Sequence, residues 1–295
     1  MEFTFNASAI AAGGIIERGN VTSVIPSLAS VALAPTGGDG RTVVSNYVSE
    51  ELSFSHAETR VFGREVAKDL FTTSTYVLVK DLRVFDKLAI GELRGEATST
   101  RSFADEDDHD FTLTVAYRGV VIAGKEVNPK IDLSIKSLRR YQHLDQILSA
   151  GSGRAAKLPD GLVATKDKKA LAERFNARTP VDLSERLKDL KAVQGSMIEQ
   201  VEGRVTTSKH HKIFIPDFGT VRFGELMLKP GRRRVNLLRI TFGNKDLLGL
   251  ENESVKVTSR SLTSGSVNED PEEEDGFRGS MTIASVEGNG TIVGP

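Results

Sequence analysis

A run of carboxylates, Asp105-Glu-Asp-Asp-His-Asp110, comes directly before a segment of alternating apolar residues. Carboxylate oxygens are the ligands that Ca²⁺ prefers, and a loop at a strand edge can present several of them. We therefore take Asp105, Asp107 and Asp110 as candidate metal ligands, and Ca²⁺ as the one cofactor that the sequence suggests. The competing interpretation is a solvated loop with no cofactor, because adjacent carboxylates repel each other and the run lacks the glycine and terminal glutamate of a helix-loop-helix calcium site.

The sharpest basic cluster is the arginine run that follows the turn residues Pro230 and Gly231. Guanidinium groups bind carboxylates and phosphates through paired hydrogen bonds, so a carboxylate-rich protein surface is the expected partner. A second acidic run, residues 268–275, has too few apolar groups to pack and is predicted to be a solvated loop. The candidate interaction residues are Arg232, Arg233, Arg234, Glu272, Glu273 and Glu274. We expect the acidic members to belong to another copy of the chain.

The histidines offer little chemistry. His210 and His211 are adjacent, and neighbours on a strand point to opposite faces, which hinders both from binding one ion. His56 and His143 are isolated, and an isolated histidine is more often a hydrogen-bonded structural residue than a catalyst.

No local signature of catalysis is present in the sequence. A nucleophile elbow, a phosphate-binding Walker loop, a dinucleotide fingerprint and a zinc-protease helix are all missing. The chain has 0 Cys, which excludes disulfides, thiolate metal sites and cysteine nucleophiles. A pair of carboxylates that folding brings together leaves no local trace, so a hydrolase or carbohydrate-active enzyme is the alternative function.

Charge and hydropathy limit the partners. Lys plus Arg number 39 and Asp plus Glu number 40, so no long-range field attracts nucleic acid or an anionic membrane. Aromatic and basic residues do not alternate along the chain, and we expect no nucleic-acid partner. The amino terminus lacks the basic region of a signal peptide, and no apolar run reaches the length of about 18 residues that a transmembrane helix needs. We expect a cytoplasmic protein, or one exported without a classical signal peptide.

Strands that present these residues are predicted by apolar residues that recur with a period of two. The predicted strands are Val24–Leu33, Thr42–Val48, Leu52–His56, Thr75–Val79, Leu88–Leu93, Phe111–Tyr117, Val120–Ala123, Ile131–Ile135, Ile213–Ile215, Val221–Leu228, Val235–Phe242, Val255–Thr258 and Met281–Ile283. The dipeptide Arg118-Gly119 predicts a tight reversal that joins two of these strands in a hairpin.

The apolar spacing changes to three and four residues in the middle of the chain, which predicts helices. The first covers Ser137–Ala150 and a weaker one covers Lys168–Asn176. A third starts at Thr179, which can cap it, with Pro180 in its first turn, and ends at Gly195.

One short pattern occurs twice. Phe85-Asp-Lys-Leu-Ala-Ile-Gly-Glu-Leu93 aligns with Phe218-Gly-Thr-Val-Arg-Phe-Gly-Glu-Leu226. Either the two segments are related β units or the match arose by chance, since every window of a chain is compared with every other.

The second copy lies in a longer run that resembles a known group. Ile215-Pro-Asp-Phe-Gly-Thr-Val-Arg-Phe-Gly-Glu-Leu226, followed by residues 233–243, is similar to the carboxy-terminal part of a group of bacterial hypothetical proteins. The resemblance covers the last third of the chain. It implies a bacterial, β-rich protein and supplies no functional residues, because the group has no assigned activity.

These observations predict a mainly β (α+β) fold, with antiparallel β-sandwich or barrel-like units and a short helical middle segment. The predicted divisions are an N-terminal strand-rich domain over 1–136, a helical segment over 137–195 and a C-terminal strand-rich domain over 196–295, or one composite domain. The leading functional hypothesis is a non-enzymatic structural or protein-interaction protein that self-associates or joins a larger assembly. The alternative is the hydrolase or carbohydrate-active enzyme, and a third hypothesis is a defence or toxin protein acting at membranes.

Overall fold

The computed structural model of the protein describes residues 2–103, 110–150, 158, 161–203, 211–243 and 277–293. Nine strands come first: β1 (Glu2–Arg18), β2 (Val21–Leu28), β3 (Val31–Ala32), β4 (Gly38–Val48), β5 (Leu52–Ala67), β6 (Leu70–Val84), β7 (Leu88–Ser102), β8 (Asp110–Ile122) and β9 (Lys125–Ile131). Four short helices follow: α1 (Leu133–Lys136), α2 (His143–Ser149), α3 (Lys168–Arg174) and α4 (Pro180–Lys188). The remaining described strands are β10 (Val193–Ser196), β11 (Ile198–Gly203), β12 (Lys212–Ile215), β13 (Gly219–Lys229), β14 (Arg232–Phe242) and β15 (Phe277–Val293).

The strands form two antiparallel sheets. Sheet 1 has the order β10-β13-β14-β15-β1-β2, with β12 also on β13 and β3 also on β1. Sheet 2 has the order β11-β9-β8-β7-β6-β5-β4. One continuous apolar core contains residues of both sheets and of the helices. The predicted fold class, mainly β with α+β character, is confirmed. The division at residues 136 and 195 remains a prediction.

One row of residues in each sheet is left out of the pairing, although the register is the same on both sides of it. We call this row the broken rung. It runs through Asn46, Ser55, Asp81, Gly91 and Gly119 in sheet 2, and through Gly224, Leu237, Ala284 and Ala11 in sheet 1. Its φ angles are positive on alternate strands, at 54° for Asn46, 53° for Asp81, 62° for Gly119, 58° for Gly224 and 55° for Ala284.

Side chains change face at the broken rung. In β6 the buried positions Val77 and Val79 are followed by Leu82 and Val84, so the alternation shifts by one residue around Asp81. A left-handed residue turns the strand in this way without ending it. The strands therefore extend past the points where their period-two pattern stops.

The predicted hairpin at Arg118-Gly119 is wrong for this reason. Gly119 lies on the broken rung inside β8, which is one strand from Asp110 to Ile122. The reversal comes at Ala123 and Gly124, whose φ angles of 47° and 75° suit the tight turn that joins β8 to β9.

A tyrosine joins the two sheets at this rung. The hydroxyl of Tyr117, in β8, donates to the carbonyl oxygen of Leu237 at 2.8 Å. The ring lies edge-on to Phe223, with centroids 5.7 Å apart. Burial raises the pKa of Tyr117 strongly, while the backbone N–H of Gly224 opposes that effect. This hydrogen bond thus joins the two sheets at a residue of sheet 1 that takes no part in the strand pairing.

The structure confirms some of the predictions for the helical region and corrects others. The predicted strand over Ile131–Ile135 is wrong after Ile131, where β9 ends, because Asp132 caps α1 and its carboxylate accepts from the N–H of Ser134 at 2.7 Å. The helix predicted over Ser137–Ala150 is shorter, as α2. The cap at Thr179 is confirmed, since its hydroxyl accepts from the N–H of Asp182 at 3.1 Å.

Both copies of the repeated pattern occupy equivalent places. Gly91 and Gly224 each lie on the broken rung of their own sheet, and a glutamate follows each of them. The rings of Phe85 and Phe218 meet edge-on between the sheets, with centroids 6.1 Å apart. The two segments thus hold corresponding positions in the two sheets and face each other, and a common origin remains a prediction.

Candidate interaction surfaces

The arginine run begins β14, so its side chains alternate between the two faces of sheet 1. Arg233 points into the sandwich, is 2% exposed and lies over the ring of Phe111 with its guanidinium carbon 4.9 Å from the centroid. Arg232 and Arg234 lie on the outer face. The run therefore offers two outward guanidinium groups and not three.

Both outward arginines contact a carboxylate that the sequence prediction did not include. Glu287, on β15, pairs in register with Arg234 and forms an ion pair with it, with Nε of Arg234 2.8 Å from a carboxylate oxygen. Arg232 forms a second ion pair with the same carboxylate. The side chain of Glu287 is 4% exposed, against 31% for Arg232 and 47% for Arg234. An intramolecular partner thus neutralises part of the charge that was expected to bind another chain.

The candidate metal ligands are only partly described. Asp110 begins β8, and its carboxylate receives Nε of Arg140 at 3.0 Å. Asp105 and Asp107 lie outside the described residues. Within the described ranges, no group of three or more histidine, aspartate or glutamate side chains is placed to hold a metal ion. Glu272, Glu273 and Glu274 also lie outside the described residues, as does the predicted strand over 255–258.

The histidines have ordinary surroundings where they are described. Nε2 of His56 lies 3.6 Å from Glu58. Nδ1 of His143 faces the N–H groups of Arg139 and Arg140 at 3.4 Å. His211 is 8% exposed, and His210 lies outside the described part of the chain.

Strand β4 forms one edge of sheet 2, and none of its eleven residues is buried. Its first half lies beside the segment that joins β2 to β3, since the hydroxyl of Thr42 donates to the carbonyl of Ser30 at 3.2 Å. Among the described residues, no strand pairs with the outer side of the second half, Val43–Val48.

Exposed apolar side chains occur on the edge strands β2 and β4 and on β1, which pairs with β2. Within the described residues, ten large apolar side chains are exposed, and half of them lie on β1, β2 and β4. These five residues are called the edge surface, and they are Ile15, Val21, Val24, Val43 and Val48, with exposed fractions of 49%, 66%, 67%, 41% and 78%. An ion pair between Arg18 and Glu50 at 3.8 Å ties the end of β1 to the turn after β4, so the two edges lie together.

The outer face of sheet 2 carries a charged and aromatic cluster. Glu58, 6% exposed, receives Nε of Arg60 and Nε of Arg41 at 2.5 Å each. The hydrogen bond from Arg60 is the largest cause that lowers the pKa of Glu58 to about 2, and Arg41 adds to it against the opposing effect of burial. Tyr76 pairs in register with Arg60 on the next strand.

A family model matches residues 3–229, which is most of the chain. The chain belongs to the family named domain of unknown function DUF8256. The match includes the run 215–226, on which the resemblance to uncharacterised proteins was based. The family is likewise described as uncharacterised. No curated protein and no solved structure matches the chain. In the part of the DUF8256 chain that the structure describes, no helix has the length and apolar character needed to cross a membrane.

Proposed function

We propose that the protein is a non-enzymatic structural subunit that self-associates by pairing the edge strand β4 with β4 of a second copy. The observation that carries the proposal is the open second half of β4, which itself presents the exposed apolar side chains of Val43 and Val48. A row of unpaired backbone N–H and C=O groups with apolar neighbours is a template for adding a strand.

Strand β4 suits this role better than β2. Pro26 lies within β2 and removes a backbone donor there, a device that blunts edges. Gly38–Val48 contains no proline or lysine, the residues that most often protect an edge. The second half of β4 is therefore the better template.

A two-fold antiparallel arrangement matches the side chains of β4 to each other. When Val43 lies opposite Val48 of the second copy, Val44 lies opposite Tyr47 of that copy. Val43 and Val48 both occupy the outer face, although five residues separate them, because the alternation shifts at Asn46. The pairing therefore joins apolar residues on both faces at once. Its symmetry closes the assembly as a dimer.

The charge balance permits such an assembly. The formal net charge is −1, so two copies do not repel each other at long range. A dimer built this way is held by backbone hydrogen bonds and apolar burial, and we expect it to persist at high salt. An assembly held by the arginine run and acidic loops would instead weaken as salt screens the charges.

The test is size-exclusion chromatography with light scattering at low and high salt. We expect the wild-type chain to elute as a dimer in both conditions and the double variant Val43→Lys/Val48→Lys to elute as a monomer, because lysine on an edge opposes strand addition. The matched control is Val181→Lys on α4, where the valine is 65% exposed and distant from the edge. A monomeric wild-type chain in both salts, or a double variant that still dimerises, would contradict the proposal.

A further inference from the structure

The outer face of sheet 2 has an open cavity that the proposed assembly does not use. It has a volume of about 440 Å³ and is lined by Arg60, Val61, Phe62, Ser74, Tyr76, Arg94 and Glu96. Cavities of this size hold small organic ligands. Its lining comes from three neighbouring strands, β5, β6 and β7, so the register of the sheet sets the positions of its side chains.

Two guanidinium groups converge on one ring in this cavity. The guanidinium carbon of Arg60 lies 5.7 Å from the centroid of Tyr76, and that of Arg94 lies 5.4 Å from it. Arg60 comes from β5 and Arg94 from β7, on either side of the tyrosine. Cation–π contact and the carboxylates of Glu58 and Glu96 restrain both groups before any ligand arrives.

The arginines keep most of their donors for a ligand. Within the described residues, Arg60 uses only Nε for Glu58. Arg94 approaches Glu96 through one terminal nitrogen at 3.5 Å. Their side chains are 56% and 47% exposed. A guanidinium fork binds phosphate oxygens in pairs, and the hydroxyls of Ser74 and Tyr76 are further donors on the cavity lining.

The charge around the cavity favours a small anion over a polyanion. With the adjoining Arg41 and Glu58 included, three arginines face Glu58 and Glu96, which leaves an excess of one positive charge. An adjoining cavity, which shares Phe62, sets Arg64 against Asp39 and Glu65 and so holds no excess of positive charge. The positive patch is therefore local. A polyanion such as single-stranded nucleic acid needs a basic groove that continues along its backbone.

We propose that this cavity binds a phosphate monoester, with the phosphate between Arg60 and Arg94 and the organic part against Phe62. Phe62 lines both cavities, and although Arg64 lies over its ring with the guanidinium carbon 5.0 Å from the centroid, it gives the organic part an apolar neighbour. The sequence did not suggest this site, since its basic and aromatic residues lie on separate strands and meet only through the register.

Calorimetric titration with inorganic phosphate, AMP and adenosine tests the proposal. We expect phosphate and AMP to bind, AMP the more tightly, and adenosine to show no binding at the same concentrations. Arg94→Gln and Arg60→Gln should each weaken AMP about tenfold, the effect of losing one charge-assisted contact. Arg118→Gln, a surface arginine on the same face, is the matched control and should bind AMP as the wild type does.

Arg94→Gln is the decisive variant, because Arg94 is not a partner of Glu58 and its loss leaves that cluster intact. Unchanged AMP affinity in Arg94→Gln would overturn the site, as would adenosine binding as tightly as AMP. A single-stranded oligonucleotide that binds more tightly than AMP, with a steep loss at high salt, would overturn the monoester in favour of a polyanion. The titrations are independent of whether the chain dimerises, so the two proposals fail separately.

Discussion

Glu58 is the shared carboxylate partner of Arg41 and Arg60 on the outer face of sheet 2. Its carboxylate is nearly buried, and the guanidinium groups of Arg60 and Arg41 lower its pKa to about 2, from 4.5 for a free glutamate. A lowered pKa in the folded state adds stability that is fully present above about pH 4.5 and is lost as the pH falls towards 2.

Glu58→Gln tests this contribution. We expect the variant to lose roughly 1–2 kcal/mol at pH 7, less than the full pKa shift implies, because both arginines are half-exposed and water screens them. Urea unfolding between pH 7 and pH 3 measures the free energy at each pH. The difference between wild type and variant should shrink as the pH falls, and the exposed Glu199→Gln is the control. A difference that stays constant with pH would contradict the assignment.

The sequence could not predict which residues meet across strands at the candidate sites. Arg232–Arg234 were identified from their run in the sequence, but Glu287, the carboxylate partner of Arg232 and Arg234, was not, because it meets them only through the pairing of β14 with β15. The same holds for Arg60, Tyr76 and Arg94. Contacts across strands depend on register, and no alternation of residue types along one strand encodes it.

At the scale of elements, the broken rung governs how the strands are built. The sequence predicted the core of most strands, and the cap of α4, from local patterns. It ended several strands too early, since a left-handed residue such as Asp81 shifts the alternation and mimics a turn. At Gly119 the same feature produced a false hairpin. A break in the period-two alternation can mark either the end of a strand or a change of face, and the sequence does not distinguish the two.

Gly224→Ala tests the rung in sheet 1. Gly224 has a φ of 58°, and an added Cβ would come within 2.9 Å of Met197 and 3.0 Å of Ile198. We expect a loss of about 1–3 kcal/mol in urea unfolding, from backbone strain and crowding together. Gly91→Ala, the equivalent position of the other copy, is the matched control: its φ is not positive and its closest contact is 3.3 Å. Equal losses in both variants would contradict this account.

At the scale of the whole molecule, the two ends of the described chain lie side by side, with β1 pairing along nearly all of β15. The sequence predicted two strand-rich parts around a helical middle, but not that early and late strands share sheets. Long-range pairing leaves no local pattern, so topology was beyond the sequence. The open edge of β4 follows from that topology and is the basis for the proposed assembly.

Cross-linking between copies tests the pairing of β4 most directly. The chain has 0 Cys, so a cysteine introduced at one position reports only its own neighbours. Directly opposed residues of antiparallel strands lie about 4.5–5.5 Å apart at Cα, within the span of a disulfide. Two single variants, Val43→Cys and Val48→Cys, are mixed and oxidised under mild conditions.

We expect a disulfide-linked dimer when V43C and V48C proteins are mixed, and little or none from either protein alone, because the two copies of each position lie far apart along the paired strands. Mass spectrometry of the digested dimer should join the peptide containing residue 43 to that containing residue 48. V181C protein is the control and should stay unlinked. Equal cross-linking in all samples, or none in the mixture at concentrations where the wild-type chain dimerises, would contradict the pairing.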